Sequence, residues 1–389
     1  MRVGINGAFW GMTDTGSGQY LHRLYDMLAV HLSQDELSLF LPVCKGYPWA
    51  DDPRLLSLST PFGGCSEDLG KVWFEQIAFP RACAGRRIEV AHVPYFAPPL
   101  FPPCPTVVTI HDLIPFRLAE YRGSVKVRLY MRLVARAARE ATLILTDSRA
   151  SADDIEALLR LPAERVRIVP LAAGPECRPL PPEKICPVLE RLGIARPYML
   201  YLGGFDRRKG VLSLLRAFAD VERILSDVDL VIAGRLPAGG SSLTPDPRPL
   251  VGELELEDRV HFTGPIAEED KPALLAGALF FLFPSLYEGF GLPALEAVSC
   301  GTPAIVTSGS SLEEIVGGGG LVVPPEDERA LAKAMIQLAH DDALREELAR
   351  QGLAHAANFS WDRTARETLA AYQEALSLSP ISRLRRRAA

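Results

Sequence analysis

The sequence predicts an α/β protein built from two doubly wound parallel sheets. Two observations carry this expectation: short apolar runs alternate with helix-length stretches through both halves, and each half contains the order strand, glycine-bearing loop, helix. A third supports it, because 389 residues exceed what one small core organises, and a stretch crowded with Pro170, Pro175, Pro179, Pro181, Pro182 and Pro187 separates the halves. The domains are therefore expected at 1–178 and 179–360, followed by a terminal segment, 361–389, holding one helix and a basic tail.

Composition narrows the function classes. A formal net charge of −6 and 48% hydrophobic residues describe a folding chain that offers no broadly basic surface for nucleic acid. Seven cysteines lie scattered without CxxC spacing, which fits a reduced, cytoplasmic setting and implies no zinc site. The chain opens on the strand-like Val3-Gly4-Ile5-Asn6 with no leader pattern, and no apolar run reaches the ~20 residues of a spanning helix.

In the first half, Val3 to Asn6 reads as a buried strand, followed by a loop with Gly7, Gly11, Gly16 and Gly18 and a helix from Gln19 to about Leu32. Gly16 or Gly18 would let backbone approach a phosphate closely; a flexible turn is the bland alternative. Strands are expected at Leu37 to Val43, Leu55 to Leu58, Glu89 to Val93, Thr106 to Ile110, Thr142 to Thr146 and Val166 to Val169, with a helix from Asp68 to about Ala82. His111-Asp112 follows one strand at its carboxyl end, where open parallel sheets bind ligands. Ser124 to Glu140 reads as a helix presenting Arg128, Arg132, Arg136 and Arg139 on one face. That face is either solvated or a contact for anionic lipid, in which Arg383 to Arg387 could share. Ser148 suits a helix N-cap, and Asp153 to Arg160 reads as helical.

The second half restarts the alternation with a strand at Tyr198 to Leu202, the loop Gly203-Gly204-Phe205-Asp206-Arg207-Arg208-Lys209-Gly210, and a helix from Val211 to about Leu225. Arg208 and Lys209 there could clamp a diphosphate, the first through a forked pair of bonds and the second as a point charge. Asp227-Val228-Asp229 resembles a metal-binding Asp-x-Asp pair, but it precedes the strand Leu230 to Ala233 and so lies at the end away from ligands. Gly234 stands at the useful end. Arg259 to Phe262, Glu268 to Ala276 and Leu279 to Phe283 continue as strand, helix, strand, and Glu328 to Leu338, Ala343 to Gly352 and Trp361 to Leu376 close the chain as helices.

The most informative stretch is Phe283 to Glu296. Leu279 to Phe283 leads into Glu288-Gly289-Phe290-Gly291-Leu292, and Pro293 opens a helix that stops at Gly301-Thr302-Pro303. Backbone N–H groups and the helix dipole at such a turn favour a phosphate-type anion. Glu288 and Glu296 beside an anion would repel it unless they accept hydrogen bonds from neutral hydroxyls, which points to a sugar and a ribose, and hence to a glycosyl donor. The glycine pattern also suits a dinucleotide, but no acid follows the next strand, Ala304 to Thr307, as that reading requires.

With these residues assembled, the sequence resembles the retaining glycosyltransferases of family 4. The resemblance rests on the acid, seven residues, acid pattern from Glu288 to Glu296, on Thr15-Gly16-Ser17-Gly18, His111-Asp112, Arg208-Lys209-Gly210 and Phe359-Ser360-Trp361. It implies the GT-B fold, with two facing Rossmann-like domains and the last helix crossing back to the first. It further implies that Glu288 touches the donor sugar, Glu296 the ribose, and the backbone of Gly289, Phe290, Gly291 and Leu292 the sugar and diphosphate. Arg208 and Lys209 would neutralise the leaving diphosphate, Gly16 and Gly18 would approach it from the first domain, and His111 would lie beside the sugar. Gly204 and Gly234 would complete the donor site, and the base would meet the loop from Gly264 to Ile266. Many members have an arginine where this chain has Gly204, so Arg207 or Arg208 must take its place. No metal and no separate cofactor are expected. His111 to Phe116 resembles the branch of mannosyltransferases that build bacterial surface polysaccharides, so the expected donor is GDP-mannose and the acceptor a glycan or lipid-linked glycan. UDP- or ADP-sugars, a nucleotide-sugar epimerase, a nicotinamide-dependent oxidoreductase and an inactive sugar-binding module are the competing classes.

Overall fold

The structure, a computed structural model, describes residues 1–13, 15–43, 52–61, 67–195 and 197–378. The basic run Arg383 to Arg387 lies outside the described residues. Contacts divide the chain into two compact units, one formed by residues 1–171 together with the segment from Trp361, the other by Ala172–Ser360.

The first unit contains β1 (Val3–Asn6), α1 (Gly16–His31), β2 (Leu37–Pro42), β3 (Leu55–Leu58), α2 (Glu67–Trp73), α3 (Phe79–Gly85), β4 (Val90–Val93), β5 (Thr106–Thr109), α4 (Ile114–Arg117), α5 (Val125–Ala138), β6 (Leu143–Thr146), α6 (Arg149–Leu159) and β7 (Val166–Ile168). Its sheet has the order β3-β2-β1-β4-β5-β6-β7 and is parallel throughout. Strands β1, β4, β5 and β6 are buried on both faces, as a parallel sheet covered by helices requires. α1 begins three residues before the expected start: Thr15 caps it through its hydroxyl and the Gly18 N–H, so Gly16 and Gly18 belong to its first turn and not to a loop. The expected helix from Asp68 is interrupted by a π segment, Phe74–Ala78, between α2 and α3. The closing helix, Trp361–Leu378, packs on α1, β4, β5 and β6. It buries Trp361, Thr364, Ala365, Thr368, Ala371, Tyr372 and Ala375, a stripe at helical spacing.

The second unit contains α7 (Pro182–Arg191), β8 (Tyr198–Leu202), α8 (Val211–Ala219), β9 (Asp229–Ala233), α9 (Arg248–Glu253), β10 (Val260–Gly264), α10 (Lys271–Ala276), β11 (Phe280–Phe283), α11 (Leu292–Ser299), β12 (Ala304–Thr307), α12 (Leu312–Val316), β13 (Gly320–Val323), α13 (Glu328–His340) and α14 (Asp342–Ala356). Its parallel sheet runs β10-β9-β8-β11-β12-β13. The proline-rich stretch read as linker contains α7, with Pro182 in its first turn, where a missing N–H costs nothing. Asp227 and Asp229 sit at the amino end of β9, and Asp229 is committed to Arg259 (2.9 Å) and His261 (2.8 Å).

Candidate functional site

Strand β11 is fully buried and delivers Pro284 to Gly291 at its carboxyl end. Gly291 caps α11 with φ +99°, and a side chain there would overlap Leu312. Glycine alone fits that position. Ser311 holds the loop from outside, its hydroxyl lying 2.9 Å from the Glu288 carbonyl and 2.7 Å from that of Phe290. The loop after β8 locks onto the same turn: Leu286 N–H donates to the Arg208 carbonyl (2.6 Å), and Gly210, at φ +72°, packs so tightly on the Pro284 carbonyl that no side chain fits.

These two loops bring three of the expected residues to one point. Glu288 Oε1 accepts from Arg208 Nη1 at 2.9 Å and from Lys209 Nζ at 2.7 Å. Arg208 Nη1 also reaches the Tyr287 carbonyl at 3.1 Å, and Lys209 Nζ lies 4.9 Å above the Phe283 ring. Burial opposes the Glu288 charge, but Lys209 and Arg208 outweigh it and hold the carboxyl below its ordinary range. Arg207 is exposed and lines a separate cavity of about 410 Å³ with Gly210, Pro284, Leu286 and Thr307. Of the two arginines, Arg208 is the one at the glycine turn.

Glu296, 5% exposed, does not join that cluster. It pairs with Lys271 Nζ at 2.7 Å, and the same ammonium meets Glu268 at 2.8 Å. Burial works against the Lys271 charge, yet Glu296 and Glu268 together raise its pKa. Lys271 escaped the sequence reading; its only signal was a position in the first turn of a helix, 25 residues from its partner. Gly234 (φ +148°) sits against the Gly203 carbonyl with no room for a side chain, whereas Gly204 is exposed and open. Ile266 is half-buried just beyond β10, and Gly289, Phe290 and Leu292 line the turn itself.

In the first unit, His111 Nδ1 lies 2.6 Å from Asp147 and Nε2 3.3 Å from the Pro94 carbonyl. Burial disfavours the imidazolium, but Asp147 overcomes it and raises the His111 pKa above the ordinary 6.5. Asp147 was missed because it stands 36 residues away, just after β6. The ring of Tyr20 meets His111 edge-on at 4.7 Å, and its hydroxyl lies 3.1 Å from Thr109 Oγ1. Thr109 in turn meets His92 Nε2 (2.9 Å), and His92 Nδ1 meets the Tyr372 hydroxyl of the closing helix (2.7 Å). A buried relay of hydrogen bonds thus runs from the closing helix to the ring beside His111. At α1, a side chain at Gly18 would overlap the Met12 carbonyl, whereas Gly16 has open space.

Residues 16–173 match the family model described as Glycosyltransferase Family 4, and residues 191–355 match Glycosyl transferases group 1. The chain is 35% identical over 269 residues to O-antigen chain mannosyltransferase B of Escherichia coli, covering 69% of this chain and 70% of that protein. It is 32% identical over 253 residues to the MMP alpha-(1->4)-mannosyltransferase of Mycolicibacterium hassiacum, covering 64% and 58% respectively. Among solved structures, sucrose-phosphate synthase from Thermosynechococcus elongatus superposes with a TM-score of 0.77 at 21% identity, covering 97% of this chain and all of that one (100%). Anabaena Alr3699/HepE, solved with UDP and glucose, gives 0.72 at 17% identity, covering 96% and 99%. The two α/β units are those of a GT-B fold. The chain belongs to the glycosyltransferases of family 4.

Proposed function

We propose that this glycosyltransferase moves mannose from GDP-mannose, with retention and without a metal, to a hydroxyl of a glycan or lipid-linked acceptor in polysaccharide synthesis. The observation that carries this reading is the convergence of Arg208 and Lys209 on Glu288 at the mouth of the glycine turn. The mannosyl assignment is supported by the names of the relatives, both mannosyltransferases.

Breaking the bond from the sugar to the diphosphate leaves negative charge on the leaving oxygen and positive character on the sugar ring. Fixed cations and N–H donors aimed at the leaving group lower that barrier. In the free protein Arg208 and Lys209 are paired to Glu288, so an arriving diphosphate competes for them and releases Glu288 towards the sugar hydroxyls. The acceptor hydroxyl then bonds to the anomeric carbon on the face the diphosphate leaves, and its proton passes to the departing phosphate oxygen. The family resemblance assigns His111, held by Asp147, to the sugar, and Gly16 and Gly18 to the phosphates. The ribose belongs to Glu296 with Lys271, and the base to the loop at Ile266.

α5 adds a peripheral contact with the anionic inner face of a membrane. Val125 and Leu129 are 70% and 67% exposed among the outward Lys126, Arg128 and Arg132. Among the described residues no helix is long and apolar enough to cross a membrane.

The test is a thermal-shift panel of GDP, UDP, ADP and NAD on wild type and Glu296→Ala, followed by turnover of GDP-mannose with and without EDTA. Stabilisation by GDP, weakened in the variant, with EDTA-resistant turnover supports the proposal. If no nucleotide stabilises the wild type, or NAD alone does, the proposal fails. Trapping of a glycosyl adduct on Glu288 would replace the front-face step with a covalent one.

A further inference from the structure

Four polar side chains run through the core of the first unit from the closing helix towards His111. Tyr372 of that helix sets its hydroxyl 2.7 Å from Nδ1 of His92, a residue of β4. His92 Nε2 lies 2.9 Å from Thr109 Oγ1 at the end of β5, and the hydroxyl of Tyr20 in α1 lies 3.1 Å from the same oxygen. None of the four is more than 2% exposed. Beyond them the Tyr20 ring stands at 83° to the His111 imidazole with the centroids 4.7 Å apart, and Trp361, which opens the closing helix, lies 6.3 Å from the Tyr20 ring.

Apolar residues of similar size would fill these positions without the cost of burying polar atoms. A satisfied buried network instead fixes one arrangement of the groups it joins. Burial, with the nearby His111 adding to it, pushes the His92 pKa down to about 3, so its ring is neutral and carries one N–H. One hydrogen on each of the four groups serves three contacts, which leaves one hydrogen over at an end of the chain. At the Tyr372 end it would find no acceptor among the described residues, because His92 is the partner of that hydroxyl. At the Tyr20 end it lies in the field of Asp147, whose charge acts on the Tyr20 hydroxyl. The hydrogens therefore point one way: Tyr372 donates to His92 Nδ1, His92 Nε2–H donates to Thr109, and Thr109 donates to Tyr20. At His111, Asp147 holds Nδ1 at 2.6 Å, while Nε2 makes a longer contact of 3.3 Å and 20% of the side chain is exposed. One short bond leaves the imidazole plane able to swing about it, and the Tyr20 ring, anchored by Thr109, blocks that swing.

We propose that Tyr372 and His92 are positioning residues for His111, acting through Thr109 and Tyr20 to hold the imidazole in one plane. The inference rests on the reading of His111 as the residue beside the donor sugar, and it makes turnover depend on the closing helix. Tyr372→Phe and Thr109→Val, each close in size to the native residue, cut the chain at its far end and in its middle. Thr364→Val is the control, since it removes a hydrogen bond of the closing helix to the Pro170 carbonyl (2.7 Å) that lies outside the chain. Nitrogen-15 NMR of the protein without donor shows His92 as the Nε2–H tautomer. The His111 ring protons, which feel the ring current of Tyr20, shift in Tyr372→Phe and Thr109→Val and keep their place in Thr364→Val. With GDP-mannose, kcat falls about tenfold or more in the first two, as misplacement of a group beside the reacting centre implies, while the GDP-mannose KM stays within about twofold. Thr364→Val keeps the wild-type kcat. An Nδ1–H tautomer of His92, unmoved His111 resonances or a wild-type kcat in both chain variants, or an equal fall of kcat in Thr364→Val overturns the inference. Full turnover in His111→Gln, or none in wild type, with the tautomer and the resonance shifts as expected, would instead refute the place of His111 at the sugar or the transferase reaction and leave the positioning of the imidazole standing.

Discussion

Replacing Lys271 by methionine isolates the electrostatics around Glu296. The pair is buried on both sides, with side-chain exposures of 11% and 7% and an N–O distance of 2.7 Å. Burial already raises the Glu296 pKa while Lys271 is present. Removing the cation leaves a buried carboxylate whose remaining charged neighbours, Glu268 and Glu176, are acids. Breaking one side of a buried pair costs about 3 to 5 kcal/mol. Protonation caps that loss, and each pH unit between the unfolded pKa of about 4.3 and the raised folded value is worth about 1.36 kcal/mol. A folded acid with a raised pKa binds more protons than the unfolded chain, so the loss is largest at high pH and relieved on acidification. Lys271→Met should therefore lose about 3 to 5 kcal/mol at pH 7.5 and less at pH 5.5. Adding Glu296→Gln should remove the pH dependence. All four tryptophans, Trp10, Trp49, Trp73 and Trp361, lie outside 172–360, so urea unfolding of the second unit must be followed by far-ultraviolet circular dichroism. A loss that is the same at both pH values, or below about 0.5 kcal/mol, would refute the buried-pair account.

The first unit supplies further tests. Asp147→Asn removes the attraction that raises the His111 pKa but leaves the burial that lowers it, so NMR titration should find His111 above 6.5 in wild type and below it in the variant. The stabilisation from the wild-type pair is full below the unfolded value of about 6.5 and disappears as pH rises through the raised folded one. Gly18→Ala should cost about 1 to 3 kcal/mol because the new methyl group overlaps the Met12 carbonyl. Gly16→Ala, with open space around it, should leave stability within about 0.5 kcal/mol; a fall in donor affinity there then reports on phosphate approach. Tyr372→Phe strands His92 Nδ1 and should cost about 1 to 3 kcal/mol, read by tryptophan fluorescence through Trp361.

The parts of this protein legible in its sequence were those fixed by neighbours along the chain. Apolar runs gave the two parallel sheets, and Ser124, Ser148, Pro293 and Gly301 marked helix ends through local hydrogen bonding and backbone geometry. Asp229 could be set aside from position alone, since a parallel sheet gathers its ligands at the opposite strand end. Partners across the fold were not legible. Lys271 with Glu296, Asp147 with His111 and Glu75 with Tyr130 are separated by 25, 36 and 55 residues, and only the sheet order brings them together. The π segment left no trace in the pattern of apolar residues, because one inserted residue shifts a helical period too little to be seen over a single turn. Likewise Pro182 reads equally as the end of a domain or the beginning of a helix until α7 is seen.

The closing helix has a consequence for how the protein is made. The second unit is continuous, and all of it leaves the ribosome before the helix Trp361–Leu378 does. The first unit cannot bury the faces of β4, β5 and β6 that await that helix until the whole second unit has been made. Its early 171 residues must persist with an open apolar face while some 190 more are added, for about 10 to 40 s at ordinary elongation rates. Nascent-chain arrest before residue 361 should thus yield a folded second unit beside a protease-sensitive first one, reversing the usual N-terminal-first order.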